Sequence, residues 1–404
     1  MEKWKVGFIG LGDRGRSLLK DILLERGDVY ISFLCDKYPD RLEQCSQAVL
    51  EKCGHMPQIT TEYKALIESP DVEVVVIASA WSNHVPAAVY AMECGKQVCT
   101  EVNGAYALED CWRLVRAYEK TGIHCMMLEN CCYGQRELMV MNMVRQGLFG
   151  KVVHCEGGYG HMQYNKSRKD YSRHFRIHEY KHRCCDTYPT HAIGPIAKIM
   201  DINRGNRMVR LNSVASGAWG MNEYARQHPD LVDKEYQNYP FRQGDIVKTI
   251  ITCAHGETIC LTLDTSLPRP YSRFFTVRGT RGCYCEDSDS VWLDTMDDEN
   301  CRGNASSFLK EWDHPIWKQF QENGCPWRGH GGMDGMVMDA YFTSLTNGTV
   351  PPIDTYDTAS WMAITPLSEA SIAAGGAPVD FPDFTSGQWI NRTERYEGFY
   401  SLDR

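Results

Sequence analysis

Tyr188 and His191 are the residues whose types and spacing best fit a pair that moves protons. They stand in the run Tyr188-Pro189-Thr190-His191, where a proline fixes the turn and an apolar helical pattern follows. Residues three apart share one side of a helical turn, so the phenol and the imidazole are expected to lie together. Such a pair suits general acid–base chemistry, but the spacing fits a capping or core histidine equally well.

Two further stretches concentrate polar aromatic residues where predicted strands end or meet. Residues 157–161 contain Tyr159, and residues 267–271 end at Tyr271. Arg176 opens the segment that leads to the tyrosine–histidine pair. By residue type alone, Arg176 also fits a surface ion pair and Tyr271 fits an aromatic residue of a hairpin.

A glycine-rich turn near the N-terminus has the spacing of a dinucleotide-binding fingerprint. It follows an apolar strand at residues 6–9 and opens a helical pattern over residues 16–25. Gly10 allows a tight turn, Gly12 lets the backbone approach a pyrophosphate, and Gly15 lets helix and strand pack closely. The predicted cofactor contacts in this turn are Gly10, Leu11, Gly12, Asp13, Arg14 and Gly15.

Asp36 ends the second apolar run and is predicted to select the cofactor. A carboxylate at this point of a βαβ unit binds the ribose hydroxyls of NAD and repels the 2′-phosphate of NADP. Lys37 and Arg41 follow closely, so NADP is disfavoured rather than excluded. The predicted cofactor is therefore NAD.

The alternation of strands and helices over the first 130 residues predicts an open, mostly parallel sheet with helices on both faces. Ligands of such α/β sheets bind at the carboxyl ends of the strands. Residues that follow the strands are therefore expected to line one crevice. Those assigned to the cofactor here are Asp36, Trp81, His84, Glu101 and Asn130.

After residue 130 the pattern changes to strand-like runs joined by hairpin-type turns, with two late helices. The runs are residues 152–159, 246–253, 258–264 and 273–279, and the helices are residues 333–346 and 358–374. This predicts an α+β domain with a mixed or antiparallel sheet. We therefore divide the chain into a Rossmann domain, residues 1–130, and a substrate domain, residues 131–404, whose tail wraps the surface.

Composition excludes several classes of function. A net charge of −9 over 404 residues argues against nucleic acid as a partner, and no apolar stretch is long enough to span a membrane. The first strand begins within a few residues of Met1, which leaves no room for a signal peptide and predicts a cytoplasmic protein. In a reducing compartment the 18 cysteines are expected to be small buried hydrophobic residues, and their spacing fits no metal site.

Longer blocks resemble known families. The glycine fingerprint, the strand end at Glu101 and the α+β domain resemble the Gfo/Idh/MocA family of NAD(P)-dependent sugar oxidoreductases. That family typically reads Glu-Lys-Pro where this chain has Glu101-Val102-Asn103, so its usual catalytic lysine is a valine here. A closer resemblance, to family 109 of the glycoside hydrolases, covers nearly the whole chain. It lies in residues 128–133, 143–150, 188–191, 200–207, 264–271, 329–334 and 364–369.

The best-known members of family 109 are α-N-acetylgalactosaminidases, so the resemblance implies a glycosidase that uses NAD without net redox change. Oxidation at C3 of the sugar acidifies the proton on C2, whose loss expels the group at C1. Water then adds, and the hydride returns to C3. The resemblance implies that His191 takes the O3 proton and Tyr159 the C2 proton. It assigns Glu101 and Tyr188 to the ring hydroxyls, and Arg176 and Tyr271 to the acetamido group and the anomeric oxygen.

Three functional hypotheses remain open at this point. The first is an NAD-dependent glycosidase acting on a terminal N-acetylhexosaminide. The second is a net sugar dehydrogenase, or an aldose–aldose oxidoreductase, and Val102 counts against it. The third is a non-catalytic sensor of NAD or sugar. For each of them the expected partners are a small-molecule ligand and, by analogy, further copies of the chain in a dimer or larger homo-oligomer.

Overall fold

The computed structural model describes residues 3–297, 300–324 and 328–403. They form two compact units that interleave along the chain. The first unit comprises Met1–Gly134, Pro315–Met362 and Thr393–Asp403, and the second comprises Gln135–His314 and Ala363–Arg392. The division at residues 130 and 131 stays a prediction about domains.

A parallel sheet forms the centre of the first unit. Its strands are β1 (Trp4–Ile9), β2 (Val29–Cys35), β3 (Gln58–Thr60), β4 (Val74–Ile77), β5 (Gln97–Thr100) and β6 (Cys125–Met127), in the order β3-β2-β1-β4-β5-β6. Every residue of β4 is buried, as expected of a central strand covered on both faces. The strand order reverses between β1 and β4, which is where sheets of this kind bind their ligands. The predicted parallel sheet is confirmed.

Helices connect these strands and cover the sheet. They are α1 (Asp13–Ser17), α2 (Pro39–Cys53), α3 (Tyr63–Glu68), α4 (Trp81–Glu93) and α5 (Leu108–Thr121). After α1 the chain continues as a π-helical turn, Leu18–Ile22, and a 3₁₀ turn, Leu23–Glu25. The segment predicted as one regular helix over residues 16–25 is therefore helical, but its hydrogen-bond pattern changes twice.

The second unit contains a mixed sheet packed against helices. Its helices are α6 (Gln135–Arg145), α7 (Arg176–His182), α8 (Thr190–Ile199), α9 (Gly220–Gln227) and α10 (Ala305–Trp312). Its strands are β7 (Val152–Gly160), β8 (Met208–Ala215), β9 (Ile246–Cys253), β10 (Thr258–Asp264), β11 (Thr276–Gly279), β12 (Gly282–Cys285), β13 (Ser290–Leu293) and β14 (Val379–Asp380). The strand order is β13-β12-β11-β7-β10-β9-β8-β14. Because β7 and β10 pair in parallel and the other neighbours are antiparallel, the predicted mixed sheet is confirmed.

Two strand predictions differ from the structure. The run predicted from residue 273 begins as a strand only at Thr276, because the N–H groups of Arg273 and Phe275 donate to the Glu286 carboxylate at 3.0 and 2.8 Å. Phe274 between them has a positive φ of 52°, which takes the chain out of the extended conformation. The second difference is that the strands β3, β8, β13 and β14 were not predicted from the sequence.

Three helices close the chain: α11 (Pro315–Glu322), α12 (Met333–Asn347) and α13 (Thr355–Ala373). Residues 355–362 of α13 belong to the first unit, where they cover the edge strand β6. The N–H groups of Cys125 and Met127 donate to the hydroxyls of Thr355 and Thr358 at 2.9 and 3.2 Å, which satisfies donors that an edge strand leaves without a ladder partner. Among the described residues, no helix is both long enough and apolar enough to cross a membrane.

All 17 cysteines in the described part of the chain are free thiols, and most of them are buried. Burial raises the pKa of the Cys35, Cys125 and Cys253 thiols to about 12. A thiol with such a pKa is protonated at neutral pH and reacts slowly. These cysteines therefore act as core residues, as the sequence predicts.

Candidate cofactor and catalytic sites

The glycine turn follows β1 directly and would leave room for a Cβ at only one of its three glycines. Gly10 has a φ of 95°, and a Cβ there would overlap the backbone of Ser79; a Cβ at Gly15 would overlap the Gly10 carbonyl oxygen. At Gly12, by contrast, the nearest atom to a Cβ is Nη1 of Arg41, at 3.7 Å. Backbone without a side chain at the start of a helix is the cradle that a pyrophosphate requires.

Asp36 is held at the end of β2 by two backbone donors. Its Oδ2 accepts a hydrogen bond from the Leu11 N–H at 2.6 Å, and its Oδ1 accepts one from the Tyr38 N–H at 2.9 Å. Nη1 of Arg41 lies 3.6 Å from Oδ2. The carboxylate is thus fixed beside the glycine turn, as a residue that binds a ribose must be. The acceptor, the turn and its open space fit NAD.

His84 and Trp81 lie in the first turn of α4, and both are buried. The two ring nitrogens of His84 lie 2.9 Å from the carbonyl oxygens of Ser79 and Asn103. Burial lowers the pKa of His84, although both hydrogen bonds act in the opposite direction. Gly104 packs so closely that a Cβ would lie 2.6 Å from that of His84. The imidazole therefore links the loop after β4 to the loop after β5 by hydrogen bonds.

Arg14 lies at the centre of a charged group in the first unit, which we call the Arg14 cluster. Its other members are Glu101, Asp334, His330 and Asn130. Nε and Nη2 of Arg14 lie 3.0 and 2.9 Å from Oε1 of Glu101, while Nη1 and Nη2 donate to Asp334 at 2.6 and 2.9 Å. Asn130 donates to Asp334 at 2.7 Å, and Nδ1 of His330 lies 2.8 Å from the same carboxylate. Both carboxylates therefore grip one guanidinium.

Arg14 and Asp334 keep their charges at neutral pH. Asp334 is 1% exposed, and burial alone would raise its pKa. Hydrogen bonds from Arg14 and His330 more than offset that effect and hold the pKa of Asp334 well below its usual range. For Arg14, burial lowers the pKa while Glu101 and Asp334 raise it, and the net result lies above its ordinary value.

Glu101 and its neighbour Val102 follow β5. Oε2 of Glu101 accepts a hydrogen bond from the Val102 N–H at 3.3 Å, and the valine side chain is buried. Asp13, another residue of the predicted cofactor set, is exposed and pairs with Arg16 at 2.6 Å. It therefore contributes its backbone, rather than its side chain, to the turn.

The second unit gathers the other predicted site residues into one group, which we call the aromatic cluster: Tyr159, Tyr188, His191, Arg176, Tyr271 and His161. The rings of Tyr159 and Tyr188 stack with centroids 4.1 Å apart, and Oη of Tyr188 lies 3.4 Å from Nε2 of His191. Cζ of Arg176 lies 4.7 Å from the Tyr188 centroid and 5.8 Å from that of Tyr159. Tyr271, which is 54% exposed, meets Tyr159 edge-on at 6.5 Å.

Glycines in β7 let the helix that carries His191 approach the strand that carries Tyr159. A Cβ at Gly157 would lie 2.9 Å from the Cβ of Ala192, the residue after His191 in α8. The shortest approach of real Cβ atoms is longer than that, so only glycine fits here. This close packing brings the rings of His191 and Tyr159 together edge-on, with their centroids 5.7 Å apart.

Two residues of the second unit, one in the cluster and one beside it, were assigned no role from the sequence. His161 stacks on Tyr159 at 5.4 Å and meets Tyr271 edge-on at 5.5 Å. Burial, together with the charges of Arg176 and Lys166, lowers the pKa of His161 to about 4, so the ring is neutral at pH 7. Its place in residues 157–161, a stretch already singled out, was the available signal.

Asp186 is the other such residue, and it supports the tyrosine–histidine turn from below. Its Oδ1 accepts a hydrogen bond from the Tyr188 N–H at 3.3 Å, and its own N–H donates to Oγ of Ser368 at 2.8 Å. Burial raises the pKa of Asp186 to about 7. A single aspartate two residues before a tyrosine gives no sequence signal of this kind.

Comparison with known proteins assigns the two halves of the chain to established families. Residues 4–129 match the oxidoreductase family with an NAD-binding Rossmann fold, and residues 133–391 match the C-terminal domain of glycosyl hydrolase 109. A glycosyl hydrolase family 109 protein of Parabacteroides distasonis is 36% identical over 98% of this chain and 89% of its own length. An α-N-acetylgalactosaminidase of Tannerella forsythia is 37% identical, over 96% of this chain and 87% of its own.

Solved structures show the same fold at lower identity. Levoglucosan dehydrogenase in complex with NADH and levoglucosan superposes with a TM-score of 0.67 at 18% identity, covering 95% of this chain and all of that one. Myo-inositol 2-dehydrogenase of Lactobacillus plantarum gives 0.66 at 14% identity, with 94% and 100% covered. At these identities the likeness concerns the fold alone. With the NAD cradle in the first unit and the family match across both units, the chain is an NAD-using enzyme that belongs to glycosyl hydrolase family 109.

Proposed function

We propose that this enzyme hydrolyses a terminal N-acetylhexosaminide, with an α-N-acetylgalactosaminide as the leading substrate, and that it does so without net redox change. The observation that carries the proposal is the mutual contact of Tyr159, Tyr188 and His191 in the second unit, with Arg176 against the two tyrosines. A relative named α-N-acetylgalactosaminidase, which aligns over 96% of the chain, supports the choice of sugar.

The cofactor is held by the glycine turn and by Asp36. When bound, NAD supplies an acceptor for hydride from C3 of the sugar and a donor that returns it within the same turnover. The need for such a cofactor follows from the acidity of the substrate, because a proton on C2 beside an alcohol is too weakly acidic to be removed. Next to a ketone at C3 the same proton is acidified, and a side chain can take it.

His191 is the proposed base for the hydroxyl proton on O3. An imidazole has an ordinary pKa of about 6.5, so it can both accept this proton and give it back near neutral pH. Its Nε2 lies 3.4 Å from Oη of Tyr188, which orients the ring from the first turn of α8. Tyr188 itself is proposed to hold a ring hydroxyl of the sugar.

Tyr159 is the proposed base for the proton on C2. A phenol is a weak base at neutral pH, and its anionic form needs positive charge nearby. The guanidinium of Arg176 lies 5.8 Å from the ring centroid of Tyr159, and the residue is half-buried, so water screens the interaction only in part. Arg176 and Tyr271 are also proposed to contact the acetamido group and the anomeric oxygen, and Glu101 a ring hydroxyl.

The proposal dispenses with the paired carboxylates of most glycosidases, which act as acid and nucleophile or base. The aromatic cluster contains none, and its titrating groups are phenols and imidazoles. Elimination followed by addition of water needs proton transfers at O3 and C2, and Tyr159 and His191 match those two tasks. Val102, which replaces the lysine typical of Gfo/Idh/MocA oxidoreductases, adds no further acid or base.

Aryl N-acetylhexosaminides test the proposal when no cofactor is added to the purified enzyme. We expect release of the aryl group with no net gain in the NADH absorption band, and in deuterated water we expect deuterium at C2 of the released sugar. The variant Tyr159→Phe should lose both the release and the label. Stoichiometric NADH with the glycoside intact would instead show a net dehydrogenase, and release without deuterium at C2 would rule out the proposed elimination.

A further inference from the structure

The loop at residues 329–334, Gly-His-Gly-Gly-Met-Asp, has no place in the function described so far. It leads into α12, whose first turn contains Asp334. Gly329, His330, Gly331 and Gly332 all have positive φ angles, of 71°, 41°, 68° and 106°. A histidine in that region is uncommon, and a Cβ at Gly329 would overlap the Asp334 carboxylate. At Gly329 and His330 the unusual backbone of this loop is therefore packed against one acidic side chain.

Asp334 uses both of its oxygens on one guanidinium. Oδ2 lies 2.6 Å from Nη1 of Arg14, and Oδ1 lies 2.9 Å from Nη2. This two-point contact fixes the plane of the guanidinium as well as its position. Asn130 supports Oδ1 at 2.7 Å and His330 supports Oδ2 at 2.8 Å, so the carboxylate has little freedom to turn.

Arg14 transmits this constraint to two functional parts of the first unit. Its backbone lies in the glycine turn, between Gly12 and Gly15, where the phosphates of a dinucleotide bind. Its Nε, the donor left over from the contact with Asp334, points to Oε1 of Glu101 at 3.0 Å. A guanidinium held by only one carboxylate could rotate, and it would no longer fix either the turn or Glu101.

We propose that Asp334 is a positioning residue that acts through Arg14 to fix the cofactor turn and to orient the Glu101 carboxylate. The part that concerns Glu101 rests on the proposed function. The part that concerns NAD binding does not, because it depends only on the cofactor and on the first unit.

The test compares Asp334→Asn with Asp339→Asn in protein stripped of cofactor. Asp339 lies on the same helix and accepts hydrogen bonds from Arg26 and Arg328, the second at 2.6 Å. It is a matched control because its carboxylate also binds arginine, but away from the glycine turn. Titration calorimetry with NAD should show a Kd at least about tenfold weaker for Asp334→Asn, which is about 1.4 kcal/mol. The Kd of Asp339→Asn for NAD should stay within about twofold of the parent value, even if its melting temperature falls as much as that of Asp334→Asn.

A double-variant cycle identifies the route. If Asp334 acts through Arg14, the variant Arg14→Lys, which keeps the charge but loses the planar fork, should weaken NAD binding by a similar factor. The double variant should then be no weaker than either single variant. Additive losses, or an unchanged Kd in Asp334→Asn, would reduce Asp334 to a structural ion pair and overturn the proposal. If Asp334→Asn does not fold, Arg14→Lys decides alone, because an unchanged Kd there contradicts the same route.

The proposed orientation of the Glu101 carboxylate is tested by the glycoside assay at saturating NAD. We expect Asp334→Asn to lower kcat/KM at least about tenfold under that condition, while Asp339→Asn leaves it unchanged. An enzyme that retains NAD normally but hydrolyses no glycoside in its parent form would refute the proposed function and leave the cofactor part of this inference intact.

Discussion

The Arg14 cluster and the aromatic cluster hold their members by different forces. In the first, charge-assisted hydrogen bonds of 2.6–3.0 Å join one guanidinium to two carboxylates. In the second, rings stack or meet edge-on at 4.1–6.5 Å, and the contact between Tyr188 and His191 is 3.4 Å long. Strong directional bonds suit a group that must keep one geometry. Looser stacking suits groups whose hydrogen bonds change as protons move.

The pKa values of the two clusters differ in the same sense. The environment of the first keeps Arg14 protonated and Asp334 ionised at every pH near neutrality. In the second, the pKa of His161 falls to about 4, and the pKa of Asp186, which bonds to the backbone of Tyr188 outside the cluster, rises to about 7. Protonation in and beside this cluster therefore changes within an accessible range of pH. The comparison indicates that the first unit supplies a fixed frame and the second supplies groups able to exchange protons.

The largest expected effect is the loss of glycoside release in His191→Ala, a variant that alters only the cluster proposed to exchange protons. Loss of a general base typically costs about 10²–10⁴ in rate, and we expect aryl glycoside release to fall by that factor while NAD binding is retained. His154→Ala is the matched control, since His154 lies on β7 and bonds to Thr258 at 2.8 Å outside the cluster. A loss of less than about threefold in His191→Ala, or an equal loss in the control, would remove His191 from the chemistry.

Two glycine variants should separate the clusters. Gly10→Ala forces a positive φ on a residue with a side chain and overlaps Ser79, so we expect NAD to be lost or bound at least about tenfold more weakly.

Gly157→Ala pushes α8 away from β7, and overpacking of this kind typically costs about 1–3 kcal/mol. It should reduce glycoside release while the Kd for NAD, measured by titration, stays the same. If both variants changed the same quantity, the proposed division of labour would be wrong.

The last expected effect changes no activity and is a dependence of stability on pH that comes from Asp186. Its pKa in the folded protein, about 7, lies above the ordinary value of 3.8, so the folded state binds the proton more tightly than the unfolded state. The associated stability is present below about pH 4 and is lost as the pH rises towards 7, with a slope of at most about 1.4 kcal/mol per unit. Denaturant titrations between these limits should show that the free energy of unfolding of the parent falls as the pH rises, relative to that of Asp186→Asn.

A constant difference between the two proteins across this range would contradict the assignment. His161, whose pKa is lowered instead, acts in the opposite direction between about 4 and 6.5, but it is common to both proteins and cancels in the difference.

The fold was predictable because its signals are local. The glycine turn, the burial of β4 and the alternating residues of β9 and β10 each appear within a few consecutive residues, and the predicted bounds of β9 and β10 match the structure. The start of β11 was not predictable, because it depends on the carboxylate of Glu286, which lies 11 residues after Phe275.

The candidate sites divide in the same way. Residue types and family resemblance were enough to propose Tyr159, Tyr188 and His191 together with Arg176 and Tyr271, but not His161 and Asp186, which lie beside them. Arg14 and Asp334 are separated by 320 positions, and only the packing of α12 against the start of the chain brings them together. The burial that shifts the pKa of Asp186 likewise depends on the tertiary structure, which no spacing in the sequence encodes.

The burial of the thiols makes alkylation a measure of folding in this protein. Of the cysteines in the described part of the chain, Cys53 and Cys94 are exposed, and ten lie in the interior. A small alkylating reagent therefore meets few accessible thiolates in the native enzyme and gains many on denaturation. The mass added per molecule after a short pulse would count unfolded chains directly, without a chromophore, a substrate or the cofactor.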